Sequence, residues 1–183
     1  MSATPAAPTT HATGAVRLTA THDTPIGRLT LVASDAGLTR VTLGTVRPED
    51  AGREPSPGAR RWLDLGRREL DGYFAGELRT FTVPVDLHRV SALHRRILDR
   101  LASVGFGETT TYGRLAQALG LADAGPRQVG GAMARNPVMI IVPCHRVLGA
   151  DGRLVGYAGG LAVKQWLLDL ESRDRTPPLD LAW

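Results

Sequence analysis

Cys144, the only cysteine in the chain, stands between Pro143 and His145, with Arg146 following. The thiolate is the reactive form of cysteine, and near neutral pH it forms only beside a base or positive charge. His145 and Arg146 bring both residue types to the thiol. Neighbouring side chains on an extended chain point to opposite faces, so a Cys-His pair can cooperate only through a tight turn or a bridging water. Without such neighbours a single cysteine reads as a small buried hydrophobe. The local sequence therefore suggests a reactive thiol and leaves its reaction open.

The elements around the thiol are punctuated by proline and glycine. The apolar, β-branched run 138–142 lies between Pro137 and Pro143, which predicts a short buried strand ending at Cys144. Upstream, Val90, Leu93, Ile97, Leu101 and Val104 recur at helical spacing, predicting a helix over 90–103 that Gly105-Phe106-Gly107 stops. Thr109, Thr110 and Thr111 offer capping hydroxyls to a short helix carrying Leu115, Ala116 and Leu119. A turn over 120–125 leads to Pro126 and a second short helix through Met133. Helix, glycine-containing turn and helix together form a helix-turn-helix pattern.

The second of these helices is nearly bare at Val129-Gly130-Gly131-Ala132. A helix reading base edges in the major groove would carry Arg, Asn or Gln there. A smooth face suits either close approach to a minor groove or tight packing on a neighbouring helix. Beyond the thiol, Asp151-Gly152 marks a turn and 156–160 is a glycine-rich loop without the Lys-Ser/Thr of a nucleotide site, so ATP binding is rejected. A last helix over 161–170 turns Val163, Trp166, Leu167 and Leu170 to the core and ends at Glu171.

The first part of the chain reads as a small antiparallel sheet from 16–20, 29–33 and 38–43, with turn signals at 25–27 and 35–37. A loop over 45–58, a helix over 59–75 and a further strand over 81–87 follow. No residue set there looks catalytic, so this half is expected to be scaffold. Residues 1–14, rich in Ala, Pro and Thr, read as a flexible tail and lack the basic and apolar regions of a signal peptide.

Composition limits the remaining choices. The content of 43% hydrophobic and 22% charged residues is ordinary for a soluble protein, and no apolar run reaches membrane-spanning length. A single cysteine excludes an internal disulfide and a multi-cysteine metal site, which fits a reducing, cytoplasmic location. Residues 90–173 hold ten Lys or Arg against six Asp or Glu, and the remainder holds twelve of each, so the net charge of +4 lies in the half that carries Cys144. That location favours a nucleic-acid partner more than the total does.

Pro-Cys-His-Arg-Val at 143–147, preceded by Asn136-Pro137 and followed by Gly-Tyr-Ala-Gly-Gly at 156–160, resembles the active-site signature of the O6-alkylguanine-DNA alkyltransferases. The resemblance covers about residues 24–171. It implies a ribonuclease-H-like α/β domain over 15–88, a mainly helical, winged-helix-like helix-turn-helix domain over 89–173 for DNA binding and alkyl transfer, and a tail over 174–183. The implied substrate is double-stranded DNA bearing O6-alkylguanine, whose target nucleotide is flipped out of the stack. The implied reaction is direct, irreversible, single-turnover transfer of the alkyl group to Cys144.

Roles follow from position in that signature. Cys144 is the nucleophile, His145 takes its proton through a water, Glu171 orients and charge-stabilises the imidazole, and Tyr112 protonates guanine N3. Asn136 ties the thiol turn to the helix-turn-helix, and Arg146 is structural. Arg127 enters the base stack, and Gln128, Gly130, Gly131, Ala132, Thr111 and Arg135 contact DNA in the minor groove. Tyr157 lies in the loop that closes over the flipped base, main-chain groups around Val147 and Ala158 contact the guanine edge, and Met133 lines the pocket wall. No metal and no cofactor are expected. A monomer is the default, with clustering along DNA left open. Three positions depart from the family pattern: Ala158 where some members have serine, Gln128 where a small residue is common, and Phe106 where tyrosine is frequent.

Three other readings stay in view. A non-catalytic alkyltransferase-like protein would bind alkylated DNA and signal to other repair, but such proteins lack the cysteine present here. A helix-turn-helix regulator fits poorly with the bare second helix. A cysteine hydrolase would need an oxyanion hole and a histidine distant in sequence, for which His88 and His94 are the candidates.

Overall fold

The computed structural model describes residues 17–47, 56–122 and 124–172. The tails at 1–14 and 174–183, Val16, and most of the expected loop over 45–58 fall outside these residues.

Strands β1 (Leu18–Thr24), β2 (Gly27–Ser34) and β3 (Gly37–Leu43) form an antiparallel sheet in sequence order. Gly27 and Gly37 make the two turns at φ +110° and +151°, backbone that side chains with a Cβ rarely adopt. Helix α1 (Pro57–Phe74) starts two residues earlier than the spacing predicts, because the Ser56 hydroxyl caps the Ala59 N–H. It packs on the sheet through Ala59, Leu63, Gly66 and Leu70. A Cβ at Gly66 would come within 3.0 Å of Leu38 Cδ1, so glycine sets the close helix–sheet approach.

The free edge of β3 joins the two halves of the chain. Leu38 bonds to Pro84 O and Asp86 N, while Val41 donates to Pro137 O and accepts from Met139 N. The two segments that meet β3 are the expected strands, and neither forms one. The stretch 81–87 contributes one bridge, at Val85, since Pro84 has no N–H to donate. The run 138–142 pairs with β3 through Val138 and then folds into a turn, with Ile140 at φ +74° and Val142 N donating to Val138 O. Asn136 explains this departure. Its side chain takes the Val138 N–H at 3.1 Å and the Val142 C=O at 2.8 Å, groups that a strand would have given to a ladder.

Helix α2 (Ala92–Ala102), capped by Ser91, leads to a two-residue strand β4 (Thr110–Thr111). Helix α3 (Tyr112–Ala118) follows directly, with the Thr111 hydroxyl accepting from Arg114 N. Helix α4 (Gly125–Ala134) has Pro126 in its first turn and packs against α3 and α2. A single 3-10 turn (Cys144–Arg146) runs into β5 (Val147–Leu148), and helix α5 (Leu161–Ser172) closes the described chain. Strands β4 and β5 pair in parallel, Thr110 with Val147 and Thr111 with Leu148. Tyr112 begins where β4 ends and Cys144–Arg146 ends where β5 begins, so this short ladder holds the tyrosine and the thiol turn side by side.

One core cluster runs through both halves, from Leu29 and Leu31 to Ile140, Val147 and Leu167. No described helix is long and apolar enough to cross a membrane. Gly37 carries the β3 edge pairing. Its Cβ would stand 2.3 Å from Pro84 O, in backbone that side chains disfavour. Gly37→Ala is therefore expected to destabilise the fold by about 2–4 kcal/mol, read as a fall in the urea midpoint with an unchanged m-value.

Candidate functional site

The thiol turn is short because its backbone closes locally. Cys144 N donates to Val142 O at 2.9 Å and Arg146 N to Pro143 O at 3.0 Å. Cys144 is 4% exposed, and it reaches a cavity of about 260 Å³ lined by Tyr112, Gly130, Met133, Ala134, Gly156, Tyr157 and Ala158. Helices α3 and α4 supply one side of this cavity and the glycine-rich loop before α5 supplies the other. Burial holds the thiol above its ordinary pKa, and a hydrogen bond from Asn136 and the Lys164 charge pull the other way. Burial and the neighbouring sulfur both keep Tyr112 protonated well past neutral pH, so it stands as a donor beside the thiol.

Behind the thiol lies a buried charge network centred on Glu171, which is 1% exposed. Glu171 Oε1 accepts from His145 Nε2 at 2.8 Å, Arg146 Nη2 at 2.9 Å and Tyr73 Oη at 2.7 Å. Glu171 Oε2 accepts from Arg146 Nε at 2.9 Å and Gly107 N at 3.1 Å. Burial opposes the carboxylate charge, but these donors outweigh it and hold the pKa down at about 2. Glu171 therefore accepts from His145 Nε2–H and leaves Nδ1 as the basic nitrogen, and Nδ1 is buried without a protein partner. Desolvation also lowers the His145 pKa, so the imidazole is neutral at neutral pH and able to take a proton. Arg146 is fixed further by donating Nη1 to Val104 O, in keeping with a structural role.

Sequence reasoning missed two members of this arrangement. Tyr73 belongs to α1, in the half expected to be scaffold, yet its hydroxyl reaches Glu171 across 98 residues of sequence. The first half is therefore not only a support, and a tyrosine among the core residues of an amphipathic helix gave no sign of this. Lys164, fully buried on α5, donates Nζ to Val147 O at 2.6 Å and Val155 O at 2.7 Å. A lysine placed among Val163, Trp166 and Leu167 was the available signal, since an unpaired buried ammonium is costly.

The remaining expected residues divide between surface and core. Arg127, Gln128 and Arg135 are exposed on or beside α4, and Gly130 and Gly131 are partly exposed there. Thr111 is partly exposed and spends its hydroxyl acceptor on the α3 cap. Two residues are corrected. Ala132, expected at a DNA-facing surface, is buried against the core and its carbonyl accepts from His94 Nε2. Val147, expected around the base pocket, does not line the cavity. Its side chain is fully buried, and its carbonyl already accepts from Lys164. His88 bonds to Asp86 and His94 to Ala132, and neither lines the thiol cavity. Among the described residues no group of three or more His, Cys, Asp or Glu could hold a metal ion.

A thiol at the floor of a cavity, next to a neutral imidazole fixed by a buried carboxylate, defines a cysteine-centred transfer site within an α/β-plus-helical fold. Comparison with known proteins makes this specific. Residues 18–87 match the 6-O-methylguanine DNA methyltransferase ribonuclease-like domain, and residues 92–173 match the DNA-binding domain of the same proteins. The methylated-DNA–protein-cysteine methyltransferase of Mycolicibacterium paratuberculosis is 43% identical over 163 residues, spanning 88% of this chain and 96% of that one. The Methanosarcina acetivorans protein of the same name is 38% identical, over 81% and 94% of the two chains. The Mycobacterium tuberculosis O6-methylguanine methyltransferase crystal structure superposes with a TM-score of 0.74 at 40% identity, covering 91% of this chain and 98% of that one. The Mycobacterium tuberculosis OGT structure in complex with DNA gives 0.73 at 42%, covering 87% and 94%. The chain belongs to the methylated-DNA–protein-cysteine methyltransferase family.

The Lys164 ammonium is the positive charge whose removal tests the electrostatics of the thiol. Lys164→Met is expected to raise the apparent thiol pKa and slow carboxymethylation of Cys144 by iodoacetate across pH 7–9. Following the modified peptide by mass at each pH checks this.

Proposed function

We propose that this chain repairs O6-alkylguanine, chiefly O6-methylguanine, in duplex DNA by moving the alkyl group irreversibly to Cys144. The observation that carries the reading is the cavity with Cys144 at its floor and Tyr112 in its wall, directly in front of the Glu171–His145 pair. A base inside a duplex cannot enter such a cavity, so the nucleotide is extruded at a cost of a few kcal/mol. Arg127, exposed near the start of α4, takes the vacated place in the stack, and the same helix lies in the minor groove.

The bare surface of α4 supports that assignment. A Cβ at Gly130 would meet nothing closer than the Tyr112 ring at 3.9 Å, and one at Gly131 only the Arg135 guanidinium. Internal packing therefore does not demand these glycines, whereas close approach of a DNA backbone does. Gln128 and Arg135 flank the same face, and Thr111 lies at its margin. The two family-matched segments, 18–87 and 92–173, act here as a supporting α/β half and a DNA-binding, alkyl-transferring half that divide near residue 88.

In the reaction, His145 Nδ1 takes the thiol proton through a bridging water while Glu171 stabilises the imidazolium. The sulfur displaces guanine O6 from the alkyl carbon in line, forming the C–S bond as the C–O bond breaks. Tyr112 gives its proton to guanine N3, so the base leaves neutral. Met133 and Tyr157 hold the base, and Ala158 offers only its N–H to O6, having no hydroxyl. Asn136 keeps the thiol turn in place through Val138 and Val142. A thioether has no low-energy route back to a thiol, so each molecule acts once. On this reading the protein works in the cytoplasm, whose reducing conditions suit a single free cysteine, as a monomer without metal or cofactor.

Incubation with a duplex containing one O6-methylguanine is expected to add one methyl group to Cys144, saturating at one per protein, by intact mass and peptide mapping. Sustained turnover, or tight binding with no mass change, would overturn the reading; the second result would favour a damage-sensing binder. Arg127→Ala is expected to slow repair in duplex DNA by about tenfold or more, the scale of the lost extrusion energy. Its reaction with free O6-methylguanine base should stay unchanged. Because His145 is depressed below its ordinary value of 6.5 and Cys144 is raised above 9.0, the rate should hold or rise from pH 6.5 to 8.5 and fall only in more acidic solution. Single-turnover rates across that range provide the check.

A further inference from the structure

Glu171 Oε1 accepts three hydrogen bonds, and two of them compete directly: His145 Nε2 at 2.8 Å and Tyr73 Oη at 2.7 Å. A hydrogen bond to a carboxylate oxygen stabilises its charge and so leaves less of it to favour a proton on a neighbouring donor. The His145 imidazole is the group whose protonation this charge favours. Tyr73 is fully buried, and its ring packs against Phe74, Phe81 and Phe106 at centroid distances of 5.4, 5.4 and 6.0 Å. Its hydroxyl is therefore held on the carboxylate by the rigid core of α1. Burial and the Glu171 charge keep this phenol protonated at every accessible pH, so it acts as a donor throughout.

We propose that Tyr73 is a positioning residue for the relay, an α1 hydroxyl that draws charge from Glu171 Oε1 and so sets the basicity of His145. It touches neither the thiol nor the cavity and acts only through the carboxylate. This inference rests on the relay proposed above. With Tyr73 donating, the imidazolium gains less from Glu171, and His145 stays neutral to lower pH. Without that donation Glu171 turns more of its charge to His145, the imidazole binds a proton more readily, and less free base remains in mild acid.

The other charged and titratable groups around His145 bear on the same balance. Arg146 and Lys164 oppose its protonation, and Cys144 precedes it in the same turn. Tyr157, facing Cys144 and Glu171 from the glycine-rich loop, is also kept protonated. None of them shares Glu171 Oε1 with His145 except Arg146, whose second bond to Oε2 fixes it independently.

Two variants move the balance in opposite directions. Tyr73→Phe removes the donor and keeps the ring, whereas replacing the Tyr73 phenol by its 3-fluoro analogue gives a stronger donor of nearly the same size. The His145 titration is read in the full-length protein from imidazole ¹⁵N shifts, with no substrate present. The acid limb of the single-turnover rate on an O6-methylguanine duplex is read alongside. Tyr73→Phe is expected to move both upward by about half a pH unit, a fraction of a charge-assisted hydrogen bond, leaving the rate at pH 8.5 within twofold. The fluorinated protein should move both downward. Coincident titrations in all three proteins would overturn the proposal, as would a loss of rate that is uniform with pH and follows a lowered Tm. If Tyr73→Phe fails to fold, the fluorinated protein decides alone, by its downward shift or its coincidence with the unmodified protein. A ¹⁵N shift in a protein that never alkylates Cys144 would sink the proposed function and leave the Tyr73–Glu171–His145 coupling standing.

Discussion

A single buried carboxylate, Glu171, holds the site together. Five donor groups on four residues, from three places in the chain, converge on it: Tyr73 in α1, Gly107 before β4, and His145 and Arg146 in the thiol turn. Burying an ion alone is strongly unfavourable, so the fold must bring these donors together or leave the carboxylate uncompensated. Their convergence holds the carboxyl pKa down at about 2. A depressed carboxylate contributes stability that is fully present above its unfolded value of 4.5 and is lost as pH falls toward 2. The network that orients the imidazole is thus also a fastening between α1, the thiol turn and α5.

Around that centre, backbone pairings do the placing. The β3 edge accepts the segment 137–139, which anchors the approach to Cys144, and the β4–β5 ladder sets Tyr112 beside the turn. Asn136 converts an apolar run into a bend by taking up its backbone groups. Lys164 then links the start of β5 to Val155, the residue before the glycine-rich loop, through two carbonyls. These contacts are polar, whereas the core that surrounds them is apolar and continuous across both halves.

Much of this was legible in the sequence, for physical reasons that differ by element. The sheet, α1 and α2 followed from apolar periodicity and glycine turns, and the α3 cap from the Thr111 hydroxyl. The pairing of Cys144 with His145 and Glu171 came from motif resemblance, since no spacing rule joins positions 144 and 171. The strand expected over 138–142 failed because periodicity cannot see one asparagine side chain competing for the same backbone groups. Tyr73 was invisible for a related reason. A core tyrosine and a core leucine give the same helical pattern, and only the fold shows where the hydroxyl ends. Ala132 was misplaced because neighbours of functional residues on a helix often face the other way, and Val147 because its carbonyl is taken by Lys164.

The distance in sequence between His145 and Glu171, 26 residues, also has a consequence in time. At about 5–20 residues per second, a growing chain contains its thiol roughly one to five seconds before the carboxylate has been made. During that interval the imidazole lacks its fixed tautomer and the arginine lacks its partner, so the cysteine is an ordinary thiol. Docking of the last helix completes the charge network behind it. A ribosome-bound or prematurely ended chain thus carries the cysteine without the buried charge network behind it.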